Sequence, residues 1–138
     1  MVDKNAVQAH LDILQGIIER MASSSSACKN WCITVVSAIL ILVADKGKSE
    51  YVWIALVPTV LFGVLDAYYL GLEKIFRRAY NEFIDKVHAN QITAPDLYVI
   101  SPPVSAWETV LQAFLSFSVW MFYLSLLGMI WATKSLVL

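Results

Sequence analysis

Two patterns of apolar residues alternate along this chain: stripes at helical spacing, and unbroken runs long enough to cross a bilayer. Tyr51 to Leu70 is an apolar run interrupted only by Pro58, Thr59 and Asp66. Beyond Gly71 the pattern turns amphipathic. Glu73, Lys74, Arg77, Arg78, Asn81, Glu82, Asp85 and Lys86 fall on one side, and Leu72, Ile75, Phe76, Tyr80, Phe83, Ile84 and Val87 on the other. No proline or turn cluster separates the two halves, so 51–90 is expected as one helix. At 1.5 Å per residue it would be roughly 60 Å long, about twice the hydrocarbon thickness of a bilayer. Such a rod starts in lipid, finishes in water and couples an aqueous domain to a membrane span.

The N-terminal stretch has a seam. Val7, Leu11, Leu14, Ile18 and Met21 are spaced 4, 3, 4 and 3, with Ile13 and Ile17 widening the stripe. An amphipathic helix over 5–22 follows, capped by Asp3 or Asn5 and weakened slightly by Gly16. The serine run Ser23 to Ser26 is expected to end it in a turn. The first span is Trp31 to Ala44, extended back to Ala27 with Lys29 snorkelling. Its shortness leaves a re-entrant hairpin helix as the alternative. Asp45 to Glu50 is a polar loop, and Pro58 is placed to kink the start of the second span. Asn90 to Val104, with Pro95, Pro102 and Pro103, reads as an irregular loop. Ser105 and Glu108 have capping-box spacing ahead of a third span from about Val110 to Ala132, flanked by Trp107 and Trp131.

The fold class is therefore all-α: an integral membrane protein with an N-terminal amphipathic helix, three transmembrane helices and a long cytoplasmic extension of the second span. The expected division is 1–26 for the amphipathic helix and Ser-rich turn, 27–70 for the transmembrane hairpin, 71–106 for the extension and Pro-rich loop, and 107–138 for the third span.

Composition agrees. The 138 residues are 59% hydrophobic and 15% charged, where soluble domains carry about 25% charged residues. Mean hydropathy is +0.64. A net charge of −1 gives no overall basic field for nucleic acid. Asp3, Asp12, Glu19 and Arg20 interrupt the first 22 residues, which argues against a cleavable signal peptide. Lys4, Arg20, Lys29, Lys74, Arg77, Arg78 and Lys86 fall on one side of the expected spans, and Lys46, Lys48 and Lys134 on the other. That asymmetry puts the N-terminus in the cytoplasm and the C-terminus outside a bacterial inner membrane.

Enzyme chemistry finds no support. There is no Gly-rich phosphate loop, no Gly-x-Ser-x-Gly and no His-Glu-x-x-His. Arg78 and His88 are separated by nine positions, too many for the Arg-to-His spacing of ribonuclease motifs. Cys28 and Cys32 share a helix face but lack further metal ligands nearby, and read as reduced small apolar residues. No catalytic residue, metal or cofactor is expected.

Three groups could bind or conduct. Lys74, Arg77 and Arg78 cluster on one helix face just inside the membrane and suit the phosphates of a nucleotide, an oligonucleotide or a lipid headgroup. The alternative is a positive-inside anchor paired with Glu73, Glu82 and Asp85. Tyr80 and Tyr98 add stacking surfaces. Asp66 is an acid inside an apolar run; it faces a pore vestibule, pairs with Lys29 or a tyrosine hydroxyl, or lies at the interface. Thr109, Gln112, Ser116 and Tyr123 fall within about 60° of one another on a helical wheel, as a pore lining or as helix-to-helix hydrogen bonds.

Arg20-Met21-Ala22 and Cys28-Lys29-Asn30-Trp31, with Leu65-Asp66-Ala67-Tyr68-Tyr69-Leu70, Glu73 and Phe76-Arg77, carry a resemblance to small bacterial membrane proteins of anti-phage defence islands. Over residues 6 to 90 the layout resembles SLATT-type effectors, and within them the channel subunits of Hailong-type systems. The resemblance implies a homo-oligomeric channel, with a tetramer favoured, that depolarises the inner membrane. It also implies a nucleotide or single-stranded DNA oligomer as gating ligand, made by a nucleotidyltransferase partner. Asp66 to Glu73 would then belong to the assembly core, with Lys74, Arg77 and Arg78 as anion contacts. The competing reading is a non-conducting scaffold that recruits a soluble partner through the Val7 to Met21 seam.

Overall fold

The computed structural model describes residues 3–97 and 106–137. Tyr98, Pro102, Pro103 and the Ser105 half of the capping pair lie outside them, as does the side chain of Trp107. Every regular element among the described residues is helical. Helix α1 runs Lys4–Lys46, a 3-10 helix follows at Ser49–Ala55, and α2 is Leu56–His88. A 3-10 turn at Ala94–Asp96 precedes α3 at Ala106–Phe114 and α4 at Phe117–Ala132, which finishes in a π-helical turn, Thr133–Val137. Three helical runs are long and apolar enough to cross a membrane: Lys4–Lys46, Ser49–His88 and Phe117–Val137.

The expected turn at Ser23 to Ser26 is absent, and residue 26 is no boundary. All 43 residues of α1 form one helix, roughly 65 Å long. Serine is a mediocre helix former, costing at most about half a kcal/mol relative to alanine, and no Gly or Pro accompanies the run. Burial of Ser25 against α2 outweighs that preference. Both ends are capped. The Asp3 carboxylate accepts from the Asn5 amide at 3.1 Å, and Gly47 takes the left-handed conformation (φ 66°) with its amide 3.0 Å from the Val43 carbonyl.

Helix α2 returns antiparallel along α1. The expected rod over 51–90 is present, with two qualifications. It ends at His88, and its first residues wind as a 3-10 helix before Pro58, which stands in the first α turn where its missing N–H is tolerated. The N-terminal stripe packs on the amphipathic half of α2, but rotated from the expected seam. His10, Leu14 and Ile18 are buried, whereas Val7, Leu11 and Met21 are half-buried. His10 stacks on Phe83 with ring centroids 4.1 Å apart. Burial holds its pKa below the usual histidine value, with the Asp96 carboxylate opposing, and the stack lies at the open end of the hairpin. Lys86 lies 3.7 Å from Asp96 at the same end.

The third span is broken. α3 ends at Phe114, and Ser116 adopts an extended conformation (ψ 136°) before α4 begins. The break lets each segment meet α2 at a glycine. Val110 of α3 lies over Gly71, and the Tyr123 ring of α4 lies over Gly63, 3.6 Å from where a Cβ would stand. Thr59, Gly63, Ala67, Gly71 and Ile75 are all buried at intervals of four, a small-residue stripe of the kind that lets helices approach closely in lipid. Cys32, Val36, Leu40 and Val43 of α1, Val52 and Ala55, and Val119, Leu126 and Ile130 of α4 complete the core.

Gly71 is the tightest of these contacts. A Cβ there would sit 2.9 Å from Val110 Cγ2 and 3.0 Å from its Cα, so α3 must move. Gly71→Ala is expected to destabilise the protein by about 1–3 kcal/mol in detergent unfolding. Gly16→Ala meets nothing within 4 Å and is expected to be neutral or stabilising.

Candidate functional site

The buried polar groups of the spans converge where α1, α2 and α4 meet. Asp66 of α2 is fully buried. Ser25 and Lys29, one turn apart on α1, face it together. The Ser25 hydroxyl donates to Asp66 Oδ1, and Lys29 Nζ lies 2.6 Å from Asp66 Oδ2. Lys29 Nζ also donates to Ser25 Oγ at 3.3 Å and stands 6.0 Å from the centroid of the Phe122 ring. From α4, the Tyr123 hydroxyl donates to the Phe62 carbonyl at 3.0 Å, within electrostatic reach of Asp66. One turn along α1, the Cys32 thiol donates to the Pro58 carbonyl at 3.9 Å. Both cysteines are free and buried.

This geometry selects between the readings of Asp66. It pairs inside the protein with Lys29 rather than facing an open vestibule. Lys29 does not snorkel to the surface; its side chain is only 18% exposed. A buried carboxylate is tolerated when a cation lies against it; Lys29 Nζ approaches Oδ2 and Ser25 donates to Oδ1, although Oδ2 itself accepts no hydrogen bond from the described residues. The same pairing fixes register. Sliding α1 along α2 by one turn would bring Met21 with Ser25, or Lys29 with Ile33, to the same two places, so the carboxylate would lose one of its two partners.

The remaining expected site residues are scattered. Lys74, Arg77 and Arg78 are exposed on α2. Arg77 Nη2 lies 2.9 Å from Glu73 Oε1, so one of the three expected acidic partners is realised and Glu82 and Asp85 are not. Tyr80 is half-buried. The polar stripe of the third span does not form one face. Thr109 and Tyr123 point inward, Ser116 is half-buried at the break, and Gln112 is exposed. A helical wheel cannot be carried across the extended Ser116. Among the described residues no three His, Cys, Asp or Glu side chains gather as a metal centre needs.

Two parts of the site escaped sequence reasoning. Ser25 was hidden in a run that resembles a turn. The Thr59/Gly63/Ala67/Gly71 stripe carries its signal openly, as small residues at intervals of four within an apolar run. No protein-family model, curated protein or solved structure matches the chain.

Breaking a buried pair from one side leaves an unbalanced charge, which typically costs about 3–5 kcal/mol. Lys29→Met is therefore expected to lower unfolding stability in detergent micelles by about 3 kcal/mol. Adding Asp66→Leu should recover most of that loss, because the double variant buries no charge. Additive losses in the double variant would show that the two side chains are not coupled.

Proposed function

We propose that this chain is the subunit of a homo-oligomeric, multi-pass membrane channel gated from its aqueous stalk, the type of effector implied by its resemblance to SLATT-like anti-phage proteins. The observation that carries the proposal is the hairpin. α1 and α2 are unbroken helices of roughly 65 and 50 Å, each longer than the hydrocarbon layer, and they are tied at the Asp66–Lys29–Ser25 junction. A force applied to the stalk then reaches the spans through two long helices joined at their crossing by this junction. Gating needs such an element, one whose equilibrium a ligand on one side biases.

One copy encloses no path for ions. Its interior is filled by Cys32, Val36, Val119, Tyr123 and their neighbours. Conduction therefore belongs to an assembly, in which Gln112, Ser118 and Ser125, exposed on α3 and α4, are available to line a shared path. With the N-terminus in the cytoplasm, as the charge asymmetry implies, opening would depolarise an inner membrane. A nucleotide or short DNA oligomer made by a nucleotidyltransferase partner is the gating ligand that the resemblance implies. The scaffold alternative loses its main support, since Leu14 and Ile18 of its docking seam are covered by α2.

Ion flux from proteoliposomes tests the proposal. Wild-type protein is expected to release a potassium gradient, and Gln112→Leu combined with Ser125→Leu to lower the rate at least several-fold while leaving the oligomer intact. Absence of flux from wild type, with and without short DNA oligomers, would overturn it.

A further inference from the structure

The exposed cations of the hairpin are not spread evenly, and the direction of each helix decides where they point. The last large apolar side chain exposed on α2 before the stalk is Tyr68, 44% exposed. Lys74, Arg77 and Arg78 follow it by roughly 9 to 15 Å along the helix axis. The headgroup layer adds roughly 5 to 8 Å beyond the hydrocarbon on each side. In any α-helix the Cα–Cβ bonds tilt toward the N-terminus, and long side chains lean the same way. α2 enters the stalk from the spans, so its N-terminal direction is toward the bilayer. Lys74, Arg77 and Arg78 therefore lean back onto the headgroups, with several ångströms of flexible stem to close the gap. Arg20 on α1 faces the opposite case. The antiparallel register, with Ser25 opposite Asp66 and His10 opposite Phe83, puts Arg20 close to the same depth. α1 runs toward the bilayer, however, so Arg20 leans away from it.

The neighbouring charges sharpen the assignment. Farther out, the stalk carries Asp12, Glu82 and Asp85, with Asp96 paired to Lys86, so acids outnumber the cations Lys4 and Lys86 along it and disfavour a soluble polyanion. On the opposite side of the spans two of the three lysines lie against rings, Lys134 4.4 Å from the Trp53 ring centroid and Lys48 5.6 Å from that of Tyr51, and Lys46 is exposed. Of the basic trio, only Arg77 forms an ion pair, with Glu73, and its side chain is still 58% exposed. We infer that Lys74, Arg77 and Arg78 form a docking surface for the phosphates of anionic lipid headgroups, anchoring the base of the stalk to the membrane surface. The inference stands independently of conduction.

The test is lipid selection. The full chain is reconstituted in vesicles of phosphatidylcholine and phosphatidylglycerol, extracted gently, and its retained lipids are counted by native mass spectrometry. Each basic residue near an anionic surface gives about a five-fold preference. Wild type should be enriched in phosphatidylglycerol. Lys74→Gln and Arg78→Gln should each lower the enrichment several-fold, and the triple variant with Arg77→Gln should abolish it. Arg20→Gln should leave it unchanged, and Lys74→Arg with Arg78→Lys should retain it. All of these positions are exposed, and the single variants remain informative if the triple variant misfolds. Equal enrichment in wild type and the single glutamine variants would overturn the inference. So would a labelled DNA hexamer that binds the lipid-free protein through these residues, which would assign the phosphates to a soluble ligand. Failure here leaves the flux experiment untouched, so the two readings fail separately.

Discussion

A carboxylate buried among apolar helices constrains everything around it. Asp66 has no exposure, so its charge must be balanced from within, and among the described residues it is Lys29 of α1 that pairs with it. That requirement fixes how far α1 is inserted beside α2. It also demands that Ser25 and Lys29 lie on one continuous helical face, which a turn at Ser23 to Ser26 would destroy. The unbroken 43-residue helix and the buried ion pair are thus one feature. Ion pairs of this kind contribute little net stability compared with apolar side chains of the same size. What the pair supplies is a preference of register, because a one-turn slip costs the carboxylate either Ser25 or Lys29 in surroundings that solvate charge poorly.

Around this fixed crossing, α2 serves two partners with two faces. Asp66 and Phe83 face α1, while Gly63, Ala67 and Gly71 receive the third span. Lipid tails are as apolar as leucine side chains, so spans are held together by close packing and hydrogen bonds rather than by expulsion from water. The small residues supply the packing, and the Tyr123 hydroxyl on the Phe62 carbonyl supplies one of the hydrogen bonds. The break at Ser116 follows from the same geometry. Val110 and Tyr123 reach two glycines eight residues apart only if the third span changes direction between them.

Much of this was legible in the sequence, for identifiable reasons. Apolar runs and amphipathic periodicity report what each residue must be shielded from, so the helical class and the long α2 rod follow from pattern. Asp66 was legible as an anomaly because a charge in an apolar run needs a partner, and Lys29 was among those available. What pattern could not supply was context. Ser23 to Ser26 has the composition of a turn, and only the carboxylate opposite Ser25 makes helix the better state. His10 displaced Leu11 from the expected seam because the Phe83 ring offers it a stacking surface. The polar stripe of the third span failed because a wheel assumes one straight helix. The basic cluster was visible as charge, but the direction in which its side chains lean depends on which way α2 runs.

A stalk helix that is continuous through the serines and joined to α2 at Asp66 would, in the proposed channel, pass its movements on to the spans. Amide hydrogen exchange of the protein in lipid nanodiscs tests that claim at its weakest-looking point. The amides of Ser23 to Lys29 should exchange as slowly as those of Leu14 to Ile18, and should speed up together when Asp66 is replaced by asparagine. Fast exchange confined to Ser23 to Ser26 in the wild-type protein would reveal a hinge and contradict the account.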